Sequence, residues 1–174
     1  HFYFLEVNSR IQVEHPVTEE INGIDLVKEQ IKVAMGEKLS FKQKDIKPTG
    51  HVFEFRINAE NPKNNFSPSP GKLEYFIPSG GPNVRVDTHC YGGYVIPPFY
   101  DSLIAKLIVK GKDRQDAINI ARRALKEFHI SGVKTTIPFH LEMLDDINFV
   151  NGTYDLGYVD QKILLEKDMQ KISL

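Results

Sequence analysis

At 174 residues with a formal net charge of −1, the chain can bury a sizeable core and has no charge excess to draw it to nucleic acid or an anionic membrane. Its single cysteine, Cys90, excludes an internal disulfide framework and a cysteine-based zinc cluster, and suits a reducing compartment. No apolar run approaches the length of a membrane span, so a cytoplasmic location is the expectation.

The opening residues, "HFYFLEV", read as an apolar strand over Phe2–Val7, and the chain opens on His1 rather than an initiator methionine. A piece of a longer chain is therefore expected. From Glu6 onward, polar residues take every second position: Glu6, Asn8, Arg10, Gln12 and Glu14. In an extended chain these side chains share one face. Pro16 is read as the stop of that segment. In "DLVKEQIKVAMG", Asp25 is a natural N-cap and Gly36 a C′ residue, with Leu26, Val27, Ile31, Ala34 and Met35 as the buried stripe of an amphipathic helix. The polar stretch "SFKQKDIKPTG" then marks a boundary.

Beyond it, short strands are predicted at His51–Ala59, Lys72–Ile77, Val84–His89 and Leu103–Lys110, separated by Pro/Gly turns. Gly80-Gly81 and Gly92-Gly93 read as hairpin turns rather than phosphate cradles. Asp113 caps a predicted helix through Phe128, with Ala117, Ile118, Ala121, Leu125 and Phe128 facing inward. A short strand at Val133–Ile137 and helices at Phe139–Asp145 and Val159–Lys167 complete the chain. Strands dominate the middle and helices the end, which predicts an α+β fold built on a mainly antiparallel sheet with flanking helices.

Several residues carry chemistry. Glu6 and Asn8 offer the hard oxygen ligands that Mg²⁺ takes alongside substrate phosphates. Arg10 presents a planar fork suited to a carboxylate, bicarbonate or phosphate. Glu14 fits a general base. A solvated strand edge of mixed charge accounts for the same residues, although Asn is uncommon on such edges. Arg56, between Glu54 and Asn58 on the polar side of its strand, reads by itself as half of a surface ion pair. Asp101 reads as a turn or capping residue, and His15 as structural, having no second His or Cys at ligand spacing. "PGK" at Pro70–Lys72 lacks the earlier glycine and the Ser/Thr of a phosphate-binding P-loop.

The stretch "FLEVNSRIQVEHPVTEEINGIDLVKEQIKVAMGE" closely resembles the end of the ATP-grasp domain of biotin carboxylases, matching every fixed position of E-x-N-x-R-x-Q-V-E-H-x-V-T-E. The E-x-N-x-R core is shared with other ATP-grasp enzymes such as carbamoyl phosphate synthetases; "QVEHPVTE" singles out the biotin-dependent carboxylases. "EFRINAENP", "SPSPGK" and "PPFYDSLIAKL" resemble signatures of the C-terminal domain of the same family, and the likeness weakens after Asn148. The resemblance implies that residues 1–47 finish an ATP-grasp domain and residues 48–174 form the biotin carboxylase C-terminal domain. It implies that Glu6 and Asn8 bind the Mg²⁺ or Mn²⁺ of the ATP complex and that Glu6 also meets ATP. Arg10, Gln12 and the Val13 backbone would cradle bicarbonate, Glu14 would deprotonate it, and Arg56 would stabilise the enolate-like anion of biotin. Leu156 falls where the family contacts adenine, Asp101 near the site, and Arg85 at the dimer interface, with Pro82 where relatives often place an aromatic residue.

The function implied is ATP- and bicarbonate-dependent carboxylation of biotin on a biotin carboxyl carrier protein, as the free-standing subunit of an acetyl-CoA carboxylase working with carboxyltransferase subunits. The full-length form would be a homodimer, and the isolated fragment is expected to be inactive. The alternatives are a pyruvate or other acyl-CoA carboxylase, another ATP-grasp ligase, and a catalytically silent module that docks a carrier or partner subunit.

Overall fold

The computed structural model describes residues 2–162. Five helices are α1 (His15–Asn22), α2 (Leu26–Ala34), α3 (Arg114–Glu127), α4 (Ile137–Met143) and α5 (Ile147–Asn151), and residues 158–162 are also helical. The strands are β1 (His51–Asn58), β2 (Glu60–Asn61), β3 (Ser67–Pro68), β4 (Gly71–Lys72), β5 (Tyr75–Ile77), β6 (Val84–Thr88), β7 (Val95–Ile96), β8 (Leu103–Gly111) and β9 (His129–Ser131). Every strand pair is antiparallel. The fold is α+β, as the sequence predicts.

Its centre is a three-stranded sheet in the order β1-β8-β6. The register places Phe55, Leu107 and Val86 side by side, with Arg56, Lys106 and Asp87 in the next row and Glu54, Ile108 and Arg85 in another. Strand alternation therefore gives the sheet one apolar face and one largely charged face. Helix α3 covers the apolar face with Ala117, Ile118, Ala121, Ala124 and Leu125, all buried against Phe55, Ile57, Leu107 and Val109. Each fully buried Ile, Leu, Val or Phe side chain here contributes about 1.5–3 kcal/mol, well above the ~0–1 kcal/mol of an exposed ion pair. This face holds the fold together. The opposite face carries α1 and the residues singled out for chemistry.

Both predicted aspartate caps form: Asp25 Oδ1 accepts from the Lys28 amide at 2.8 Å, and Asp113 Oδ1 from the Asp116 amide at 2.9 Å. Other expectations are corrected. Phe2–Val7 carries no regular secondary structure and pairs with no strand among the described residues, and Phe2, Tyr3, Phe4, Leu5 and Val7 are exposed. An apolar run is only a candidate strand until a neighbour supplies the ladder. Pro16 does not stop an element; it occupies the first turn of α1, where its missing N–H and fixed φ favour helix entry. The stripe assigned to α2 is open: Val27, Ile31 and Met35 are 43%, 57% and 73% exposed, and the buried residue of that helix is Glu29.

The Lys72–Ile77 strand divides, because β4 pairs with β7 while β5 pairs with β9. The glycine pairs turn the chain without closing hairpins, since neither β5 and β6 nor β6 and β7 are partners. No strand forms at Val133–Ile137; Thr136 instead precedes α4 at its N-cap position without a side-chain capping bond, and Ile137 begins the helix. The predicted Val159–Lys167 helix lies partly outside the described residues.

Glu29 clasps α2 to the segment after it. Its carboxylate accepts from Lys32 Nζ at 2.7 Å, Ser40 Oγ at 2.6 Å and the Ser40 amide at 3.2 Å. The Lys32 bond above all, then the two Ser40 bonds, hold its pKa down to about 2 from the ordinary 4.5. A depressed carboxyl contributes stability above its unfolded pKa and loses it as pH falls toward the folded value. Protection of the Ser40 amide from hydrogen exchange is therefore expected to be full above pH 4.5 and to vanish as pH approaches 2.

Candidate active site

Glu14 is the N-cap residue of α1, and Arg56 projects from the charged face of β1 beneath it. Arg56 Nη2 donates to Glu14 Oε2 at 3.1 Å across a sequence separation of 42 residues. Both side chains are a little over half exposed, at 54% and 56%, so the pair is open to a ligand and adds little to stability.

The strand carrying Arg56 is held from behind. The Arg56 carbonyl accepts from Thr136 Oγ1 at 2.9 Å and from His140 Nε2 at 2.9 Å, next to a register shift between Ile57 and Asn58. Burial lowers the His140 pKa, so the ring serves as a neutral Nε2–H donor.

Helix α1 is tied to the charged face by cations. Arg85 Nη1 donates to Glu19 Oε2 at 2.8 Å and Glu20 Oε1 at 3.2 Å, while its Nε and Nη2 grip both oxygens of Asp87 at 2.8 Å. Lys110 Nζ donates to the Glu20 carbonyl at 2.7 Å, satisfying one of the last carbonyls of the helix. At the other end, Lys106 Nζ donates to the Val13 carbonyl at 3.1 Å. Arg85, expected at a dimer interface, thus spends its guanidinium on carboxylates of its own chain.

Glu54 sits half-buried on the same face, and its Oε2 is inaccessible with no hydrogen-bond partner among the described residues. Burial raises its pKa, with Lys106 and Arg56 opposing the rise and Glu14 adding to it.

The remaining sequence-predicted residues are distributed around this pair. Gln12 and Val13 are half-buried in the turn entering α1. Arg10 is exposed and its Nη1 donates to the Ile11 carbonyl at 3.2 Å, not to Glu14. Glu6 and Asn8 lie exposed on the unpaired opening segment. They supply one carboxylate and one amide oxygen, a donor set that fits Mg²⁺ when phosphates and a further carboxylate complete it. No cluster of three or more His, Cys, Asp or Glu able to hold a metal occurs among the described residues. Asp101 accepts from the Leu103 amide at 2.8 Å, the geometry of a turn residue. Leu156 is fully exposed on the turn before residues 158–162. Sequence reasoning missed Lys106, Thr136 and His140, which lie 93, 80 and 84 residues from the groups they bond.

Residues 54–161 match the family model described as "Biotin carboxylase C-terminal domain". The chain belongs to that family. Residues 1–42 match the model described as "Carbamoyl-phosphate synthase L chain, ATP binding domain". Biotin carboxylase 1 of Bacillus subtilis is 55% identical over 91% of this chain and 35% of its own length. A pyruvate carboxylase subunit of Methanothermobacter thermautotrophicus is 56% identical over 98% of this chain and 35% of its own. Among solved structures, the biotin carboxylase domain dimer of Hydrogenobacter thermophilus 2-oxoglutarate carboxylase, in complex with MgADP, ADP and bicarbonate, superposes with a TM-score of 0.89. It is 48% identical, over 91% of this chain and 35% of that one. The biotin carboxylase of Campylobacter jejuni in complex with β,γ-ATP gives a TM-score of 0.88 at 48% identity, over 92% and 36% of the two chains. The chain spans roughly a third of the length of these relatives. Among the described residues, no helix of this biotin carboxylase family member is long and apolar enough to cross a membrane.

Proposed function

We propose that this chain is the C-terminal part of a biotin carboxylase, with residues 1–47 finishing the ATP-grasp domain and residues 48–174 forming the C-terminal domain. The observation that carries this reading is the Arg56–Glu14 contact at 3.1 Å, which joins the two segments at their chemically distinctive residues. The whole enzyme would cleave ATP to activate bicarbonate and would carboxylate biotin on a carrier protein. A cytosolic location and a homodimer belong to the same reading. The exposed apolar side of α2 and the groove beside it, about 590 Å³ and lined by Ile11, Leu26, Val33, Ala34, Leu39 and Phe41, is the face that the rest of the ATP-grasp domain would cover.

In this reading Glu6 and Asn8 hold Mg²⁺ or Mn²⁺ against the ATP phosphates, and the metal supplies charge neutralisation there. Arg10, Gln12 and the Val13 amide hold bicarbonate. Glu14 removes its proton, a transfer assisted by the cationic surroundings of the anion. Arg56 then meets the negative charge that develops on the biotin ureido oxygen. Leu156 contacts adenine from its exposed turn.

The test is the full-length protein supplied with ATP, Mg²⁺, labelled bicarbonate and free biotin. Carboxybiotin is the expected product; carbamoyl phosphate formed with ammonia, and no carboxybiotin, overturns the reading. The finer assignment, carried by the sequence resemblance alone, is the biotin carboxylase subunit of an acetyl-CoA carboxylase. The methanogen relative favours pyruvate as a second acceptor. Adding the matching carrier and carboxyltransferase and comparing acetyl-CoA with pyruvate decides between them.

A further inference from the structure

Two consecutive peptide planes lead into Glu14, and each is pinned from outside. The Gln12 carbonyl accepts from His15 Nδ1 at 2.7 Å and from the His15 amide at 3.3 Å. A carbonyl only accepts, so His15 carries its proton on Nδ1. The Val13 carbonyl accepts from Lys106 Nζ at 3.1 Å. In a trans peptide the N–H points opposite to the carbonyl of the same plane. Fixing the Gln12 carbonyl therefore fixes the direction of the Val13 N–H, and fixing the Val13 carbonyl fixes the plane from which Glu14 departs. The Val13 N–H has no acceptor among the described residues.

Lys106 is suited to this task by its place in the sheet. It lies between Arg56 and Asp87 in the central row of the charged face, and only 14% of its side chain is exposed. Its second partner, Asp87 Oδ2 at 3.8 Å, is itself gripped by Arg85. The ammonium is thus enclosed between a carboxylate and a peptide carbonyl, close to Arg56 yet directed at the backbone. His15 is 16% exposed at its side chain, with Nε2 at 4.0 Å from Glu19 Oε2, an oxygen held by Arg85.

We propose that Lys106 and His15 are positioning residues for bicarbonate: together they aim the Val13 amide at the anion and set the approach of Glu14 to its proton. The proposal rests on the bicarbonate site assigned above to Arg10, Gln12 and Val13. Neither residue would touch substrate. The loss of either would loosen the cradle while leaving the nucleotide contacts alone.

The test uses the full-length enzyme. Lys106→Met keeps the length of the side chain and removes the donor; His15→Leu removes the ring donor. Each is expected to raise the KM for bicarbonate about 10- to 100-fold, the range for losing a group that orients a ligand-binding residue. The KM for ATP and the melting temperature should stay near wild type. Lys106→Arg and His15→Asn, which keep a donor at the same reach, should recover most of the affinity. A proportional loss for ATP and bicarbonate together, with a lower melting temperature, would mean a structural role only and would overturn the proposal. Selective ¹⁵N-valine labelling separates this outcome from failure of the functional reading. Bicarbonate should shift the Val13 amide signal in the wild type, with a weaker midpoint in Lys106→Met. A shift without carboxybiotin formation sinks the function and keeps the positioning role; an equal midpoint in wild type and variant sinks the positioning role.

Discussion

Replacing Glu14 by Gln in the full-length protein is expected to lower bicarbonate-dependent ATP cleavage by about 10²- to 10⁴-fold, the span attributed to a positioned general base. The substitution is nearly isosteric. Its amide oxygen can still accept from Arg56 Nη2, now at 3.1 Å from the carboxylate, so the geometry of the pair survives. What is lost is the ability to take a proton. The fold should be indifferent, because a pair in which both side chains are more than half exposed contributes about 0–1 kcal/mol. Unchanged melting temperature with collapsed turnover is therefore the signature of a base. Unchanged turnover would favour a module that only docks a carrier or partner subunit. Steady-state ATPase assays with and without bicarbonate, beside a thermal melt, read both quantities.

Much of the fold is legible in the chain because single strands and helices announce their own periodicity. The alternation in "HVFEFRIN" places Phe53, Phe55 and Ile57 on one face, and β1 buries Phe55 and Ile57 there. The stripe of α3 is buried residue for residue, with Ala124 added to it. The errors occur where a segment's state depends on a neighbour. "FYFLEV" has the composition of a strand, yet among the described residues nothing pairs with it. Pro16 stops a strand and starts a helix equally well, and only the following turn of α1 decides. The α2 stripe has helical spacing whether or not anything covers it.

The same distinction governs the candidate site. Glu6, Asn8, Arg10, Gln12 and Glu14 share a parity that only a straight strand would convert into a shared face. In the structure the chain bends at residues 9–10 and turns at residues 13–14, so alternation was the wrong reason to group them. Motif resemblance grouped Glu14 with Arg56, and the fold brings those two into contact. Lys106 gave no signal at all: a lysine in an alternating strand is ordinary, and its partner is a backbone carbonyl, which every residue possesses.

Arg56→Met is expected to reduce carboxybiotin formation by about 10²- to 10³-fold, the effect of removing one preorganised donor from a developing anion. The structure shows why neighbouring cations would not substitute. Lys106 is the cross-strand partner of Arg56, but its ammonium is committed to the Val13 carbonyl and lies near Asp87. Arg85 is committed to Asp87, Glu19 and Glu20. Arg56, by contrast, uses Nη2 on Glu14 and is half exposed, and among the described residues the other guanidinium N–H groups of its planar fork have no partner and can face a ligand. Lys at position 56 would keep the charge and lose the fork, so Arg56→Lys should recover little. If Arg56 were merely half of a surface ion pair, Arg56→Met would shift stability by less than about 1 kcal/mol and leave turnover intact. The double variant Glu14→Gln/Arg56→Met separates these cases further. Groups acting in one reaction lose activity non-additively, so the double variant should be scarcely slower than the worse single one. Multiplying losses would mean that the 3.1 Å contact joins two independent residues.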